Sequence, residues 1–144
     1  MDNLEIIRNK FKNDNFAKNL GIILDDLTID YVKMHMHLKP EMCNFYGRPH
    51  GGAIYGLADA AFSVIGNNQN LISVALDCTI TYHASPDPED ILYVEGKLLK
   101  QTRKIATFLF TIYTLKNENQ NLIATMLSTL YRTGRPINPE LIEN

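Results

Sequence analysis

The chain has no tryptophan, only two cysteines in 144 residues, and almost no charge imbalance. Each scarcity excludes something. Cys43 and Cys78 are too few for a disulfide scaffold and lack metal-ligand spacing, which points to a reducing compartment. A net charge of −2 and a pI near 6.0 offer no general attraction to nucleic acid or to a membrane surface. No apolar run approaches the ~20 residues needed to cross a bilayer. The start, Met1-Asp-Asn-Leu-Glu, lacks the basic residues and apolar run of a signal peptide. The expectation is a cytoplasmic protein. Internal repeats and low-complexity stretches are also missing. What is present is 45% hydrophobic residues, enough for one packed domain over 1–144.

The order of elements reads as helix, two strands, helix, then four strands. Leu4, Ile7 and Phe11 mark one helical face, with Asp2 or Asn3 as cap. A short helical turn follows around Asp14–Asn19, and Gly21 stops it. Ile22–Thr28 and Tyr31–Leu38 form a hairpin. In its second strand Val32, Met34, Met36 and Leu38 alternate with Lys33, His35, His37 and Lys39. After a loop through Asn44, Gly47 and Pro49 comes an apolar helix. Ile72, Val74, Leu76, Cys78, Ile80 and Tyr82 then define one face of a strand. Pro86 and Pro88 break the chain before strands at Ile91–Lys100, Ile105–Leu115 and Leu122–Arg132, the last two joined by the polar run Lys116–Asn121. One apolar helix against about six strands predicts an α+β protein with an antiparallel sheet wrapped around the helix. The late strands are apolar on both faces, with Ile105, Leu109, Tyr113 and Leu115 behind Ala106, Phe108, Phe110 and Ile112, so the outer face calls for a symmetric partner.

Within the apolar helix lies Asp59, the only charged side chain between Arg48 and Asp77. Ile54, Leu57, Ala58, Ala61, Phe62 and Ile65 line it at helical spacing, and the remaining positions are mostly Ala, Gly, Ser and Tyr. A desolvated carboxylate with no cation three or four residues away raises its pKa or finds strong donors, and is a functional-site candidate. His50-Gly51-Gly52 opens the same helix. Unpaired amides and the positive dipole end suit an oxygen that becomes anionic, and glycines let it approach the backbone. Gly51 and Asp59 stand roughly 12 Å apart along an ideal helix, too far to act on one atom. If both act on one ester or thioester, they come from two copies of the chain.

Asn44-x5-His50-Gly51-Gly52-x4-Leu57-Ala58-Asp59 resembles the signature of hotdog-fold acyl-CoA thioesterases of the phenylacetyl-CoA thioesterase type, and the likeness runs from about Phe16 to about Arg132. The resemblance implies a hotdog fold with one long central helix and a short N-terminal helix. It implies hydrolysis of an acyl-CoA or aroyl-CoA to free acid and CoA, without metal or redox cofactor. By the same likeness the Gly51 N–H polarises the thioester carbonyl, and Asp59 of the partner subunit serves as general base or nucleophile. Asn44 and His50 would hold the water and the oxyanion loop, with Gly52 beside the substrate. A homodimer, or dimers paired back to back as a homotetramer, is the matching assembly. Many relatives carry Ser or Thr on the next strand, where this chain has Ala75.

Other residues invite other readings. Arg103 and Lys104, with Arg132 and Arg135, are candidates for the CoA phosphates, although a solvated hairpin tip explains the first pair equally well. His35 and His37 share a strand face but lack a third ligand, so a solvated surface is expected there. Ser63 has no Gly-x-Ser-x-Gly turn and reads as helix packing. The competing function is a non-catalytic acyl-CoA-binding module, which Ala75 favours. A short tail after Arg132 argues against it, because it leaves no output domain. A hotdog hydratase would pair Asp and His on a pattern absent here.

Overall fold

In the computed structural model, residues 2–141 are described. They form three α-helices, α1 (Asn3–Phe11), α2 (Asn15–Leu20) and α3 (Gly51–Gly66), and six strands, β1 (Ile23–Leu27), β2 (Tyr31–His37), β3 (Leu71–Tyr82), β4 (Ile91–Gln101), β5 (Ile105–Lys116) and β6 (Asn119–Pro136). All strand pairs are antiparallel, in the order β1-β2-β4-β5-β6-β3. The alternation in β2 explains its place. Val32, Met34 and Met36 are fully buried against α3, opposite Gly96, Val94 and Leu92 of β4. Ala106, Phe108, Phe110 and Ile112 of β5 continue that inner face, and Phe62 of α3 meets Phe108 and Phe110 edge-on. The sheet therefore wraps the helix in the hotdog arrangement. No helix among the described residues is long and apolar enough to cross a membrane.

Local signals account for the ends of the elements. Asp2 caps α1 by accepting the Glu5 N–H, and Asp14 caps α2 by accepting the Ala17 N–H. Gly21, with φ of +68°, closes α2 in a left-handed cap. Three asparagines after α3 hold the far end of the helix. Asn67 receives the Ser73 N–H, buried Asn68 donates to Thr28 and Ile29 carbonyls, and Asn70 binds Asn138 through both side-chain atoms.

Three expectations need correction. The β5–β6 turn is not Lys116–Asn121 but the two residues Asn117 and Glu118, with φ of +50° and +66°, as a primed hairpin turn requires. Glutamate is a poor signal for that conformation, and β6 consequently starts earlier and runs to Pro136. In β3 the alternating face does not hold, because a bulge between Ala75 and Asp77 reverses it. Val74 pairs with exposed Tyr131, whereas Cys78 and Ile80 pair with buried Ser128 and Met126. His35 is no simple solvated residue either: it pairs with Asp25 at 2.7 Å and packs near Tyr93.

Candidate active site

Helix α3 is buried on every side but one. Its uncovered stripe runs through Gly52, half-buried Tyr55, Asp59 and Ser63, at spacings of three and four. Asp59 is thus exposed in the single chain, not enclosed as its apolar flanks suggest. The sequence pattern counts apolar neighbours but cannot show which stripe lacks a cover. Enough protein still surrounds the carboxylate to push its pKa above the ordinary value, chiefly by desolvation and secondarily by the charge of Asp14. Asp14 is near because α2 packs on Gly56, where an added side chain would meet Leu20 and Phe16 at 3.2 Å. Tyr55 is pushed up to about 12 by its hydrogen bond with Cys78 and then by burial.

The other half of the site is the loop that enters α3. Cys43 and Pro49 bridge as a short antiparallel pair, and the His50 N–H donates to Met42. Asn44 Oδ1 accepts the N–H groups of Tyr46 and Arg48, which shapes the loop and leaves the amide NH₂ as a donor. Arg48 ties the loop to the β3–β4 connection through the Pro86 carbonyl at 2.7 Å, Ser85 and Asp87. His50 is the N-cap of α3, its Nδ1 accepting the Gly52 N–H at 2.8 Å. Among the described residues no acceptor takes the Gly51 N–H. An unpaired amide at a helix N-terminus, beside an open cavity of about 310 Å³ walled by Gly51, Ile54 and Tyr82, is an oxyanion donor in chemical capability.

The structure brings Asn44, His50, Gly51 and Gly52 together and leaves Asp59 two turns further along the helix. It does not bring Arg103 and Lys104 to them within one chain. Those residues sit in the β4–β5 turn, whose Thr102 carbonyl accepts from Arg132 and whose neighbour Gln101 binds Gln69 beyond the C-terminal end of α3. The sequence pattern does not single out Tyr82, Asp14 or Arg48 for the site; only the Asp14-Asn-Phe-Ala17 capping pattern foreshadows one of them. No group of three or more His, Cys, Asp or Glu among the described residues is arranged to hold a metal.

Known proteins match this architecture. Residues 46–120 match the Thioesterase superfamily. A protein of Archaeoglobus fulgidus is 31% identical over 129 residues, spanning 90% of this chain and 82% of that one. The acyl-coenzyme A thioesterase PaaI of Escherichia coli is 28% identical over 130 residues, spanning 90% and 91%. The solved E. coli PaaI structure superposes with a TM-score of 0.84 at 27% identity, covering 91% of this chain and 93% of that one. A Streptococcus pneumoniae thioesterase-family structure containing coenzyme A has a TM-score of 0.79 at 20% identity, covering 89% and 98%, a likeness of fold. Fold and site define a hotdog enzyme scaffold, and the chain belongs to the thioesterase superfamily.

Proposed function

We propose that this protein hydrolyses an acyl-CoA thioester to the free acid and CoA, at a site built by two copies of the chain. The observation that carries the reading is the unpaired Gly51 N–H at the start of α3, on the same helix as a carboxylate of raised pKa on the one uncovered stripe. The E. coli relative named an acyl-CoA thioesterase supports the substrate class. The thioester carbonyl accepts from Gly51 of one subunit. Asp59 of the other takes a proton from water as the water adds to the carbonyl carbon, or attacks that carbon itself to form a mixed anhydride that water then hydrolyses, freeing the acid and Asp59. Collapse of the tetrahedral intermediate expels CoA thiolate, which is then protonated. Asn44 Nδ2 and His50 Nε2 are the remaining donors for water or substrate.

Strand β3 supports the assembly. This twelve-residue strand pairs, among the described residues, with β6 on one side only, and it exposes Ile72, Val74 and Leu76. A long apolar edge left open is an association surface, and a second copy paired along it covers that edge. The test is a panel of short, medium, long and aromatic acyl-CoAs with a thiol reagent reporting released CoA. Turnover on at least one is expected; none on any would refute the hydrolytic reading.

A further inference from the structure

We infer that Tyr82 is a positioning residue whose hydroxyl fixes the Gly51–Gly52 peptide, the one that follows the oxyanion amide, and with it the tautomer of His50. The inference rests on the assignment of Gly51 as oxyanion donor. Tyr82 is the last residue of β3 and lies on the inner face, in register with Ala124 of β6. Its O–H donates to the Gly51 carbonyl at 3.0 Å. Its ring closes over the same residue, with atoms 3.4 to 3.6 Å from the point where a Gly51 side chain would begin. The contact therefore has a polar part and a packing part, and the two are separable by mutation.

The polar part is longer than one bond. The Gly51 carbonyl and the Gly52 N–H belong to a single peptide unit, and that N–H donates to His50 Nδ1 at 2.8 Å. A backbone N–H only donates, so Nδ1 accepts and the proton of the neutral ring sits on Nε2. Tyr82 O–H, the Gly51–Gly52 peptide and the His50 ring thus form one chain of hydrogen bonds, whose members polarise one another. This is the place in the fold that most needs it. The first turn of a helix has amides without intrahelical partners, and two consecutive glycines leave its backbone loosely determined. An oxyanion donor works by being fixed before charge develops. Tyr82 supplies that fixity from β3, the strand whose open edge the proposed dimer uses.

Tyr82→Phe keeps the ring and deletes the hydroxyl. The expected result is a kcat about three- to tenfold lower, the worth of one ordinary hydrogen bond, with KM and thermal midpoint near wild type. A readout independent of turnover accompanies it. The Gly51 carbonyl ¹³C resonance shifts, and the ¹⁵N resonances of the His50 ring move from a single Nε2–H tautomer towards a mixture. In a Gly51→Pro background, which removes the N–H that Tyr82 serves, Tyr82→Phe has no further effect on kcat. An active wild type whose Tyr82→Phe variant keeps full kcat overturns the inference and leaves the thioesterase reading intact. So does a loss that multiplies unchanged in the Gly51→Pro background, or one that appears only as a lower thermal midpoint. A wild type inert towards every thioester defeats both.

Discussion

At the scale of single residues, Asp59 is where chemistry and stability oppose each other. Burial raises its pKa first, and the Asp14 charge adds to this. A carboxylate whose folded pKa lies above its unfolded one prefers to be protonated in the fold. Its ionised form therefore costs folding free energy, absent below the unfolded pKa and fully present above the folded one. Asp59→Asn should lower hydrolysis by ~10²–10⁴, the worth of a positioned base. The same variant should melt no lower than wild type at pH 7, and the two curves should converge below pH ~4. A variant that retains most of its kcat removes Asp59 from the mechanism. Asp14 offers a second test on the same carboxylate. Asp14→Asn keeps a side-chain oxygen to cap α2, where Asp14 accepts the Ala17 N–H at 2.9 Å, but removes a negative charge near the base. The acid limb of the kcat/KM profile, which reports the free enzyme's base, should move to lower pH. A limb that stays in place shows that Asp14 does not act on Asp59 through its charge.

At the scale of elements, β4 and β5 pack tightly where a glycine faces a ring. Gly96 stands opposite Phe110, and a side chain added there would meet Phe110 ring atoms at 2.5 and 2.6 Å and Val32 at 2.9 Å. The ring fills the space that the glycine leaves, under α3. Gly96→Ala should overpack this layer and cost ~1–3 kcal/mol, read by chemical denaturation; a neutral change would mean that the layer yields. Elements of this kind are legible in the sequence. The period-two run of β2, the strand spans of β4 and β5, the helical run ending at Gly66, and the caps at Asp2 and Gly21 all follow from spacing and residue type. The bulge in β3 is not legible, because apolar residues alternate straight through Ala75–Asp77 and nothing local marks the reversal. Nor is the turn at Asn117-Glu118, where a tight register forces glutamate to positive φ. In the site, His50, Gly51, Gly52 and Asn44 stand out as a motif. Tyr82 does not, because its partner Gly51 is 31 residues away and only the β3–β6 register brings it there. Arg103 and Lys104 show the converse. Their turn lies away from Gly51 within one chain, and a sequence does not say at which end of the sheet a hairpin tip lies.

At the scale of the whole molecule, the proposed site takes its parts from two chains, and mixing two dead variants tests this. Gly51 is the first residue of α3, preceded by an extended His50 with φ −68° and ψ 137°. Proline is at home at that position and after that backbone, so Gly51→Pro deletes the unpaired N–H with little strain. It should lower kcat by ~10²–10³, the loss seen when one oxyanion donor is removed. Asp59→Asn is dead for the other reason. Eight helical residues separate the two groups by roughly 12 Å, so one chain does not bring both to one carbonyl. Each homodimer then carries a lesion in both of its sites. In a mixed dimer one site collects both lesions and the other collects neither. Co-refolding equal amounts should make about half of the dimers mixed, each with one intact site, and so restore about a quarter of wild-type activity. Circular dichroism on each variant must first show a native fold. Well-folded partners that regain no activity when mixed would mean that Asp59 serves the Gly51 of its own chain, and the open edge of β3 would then have nothing to do with catalysis.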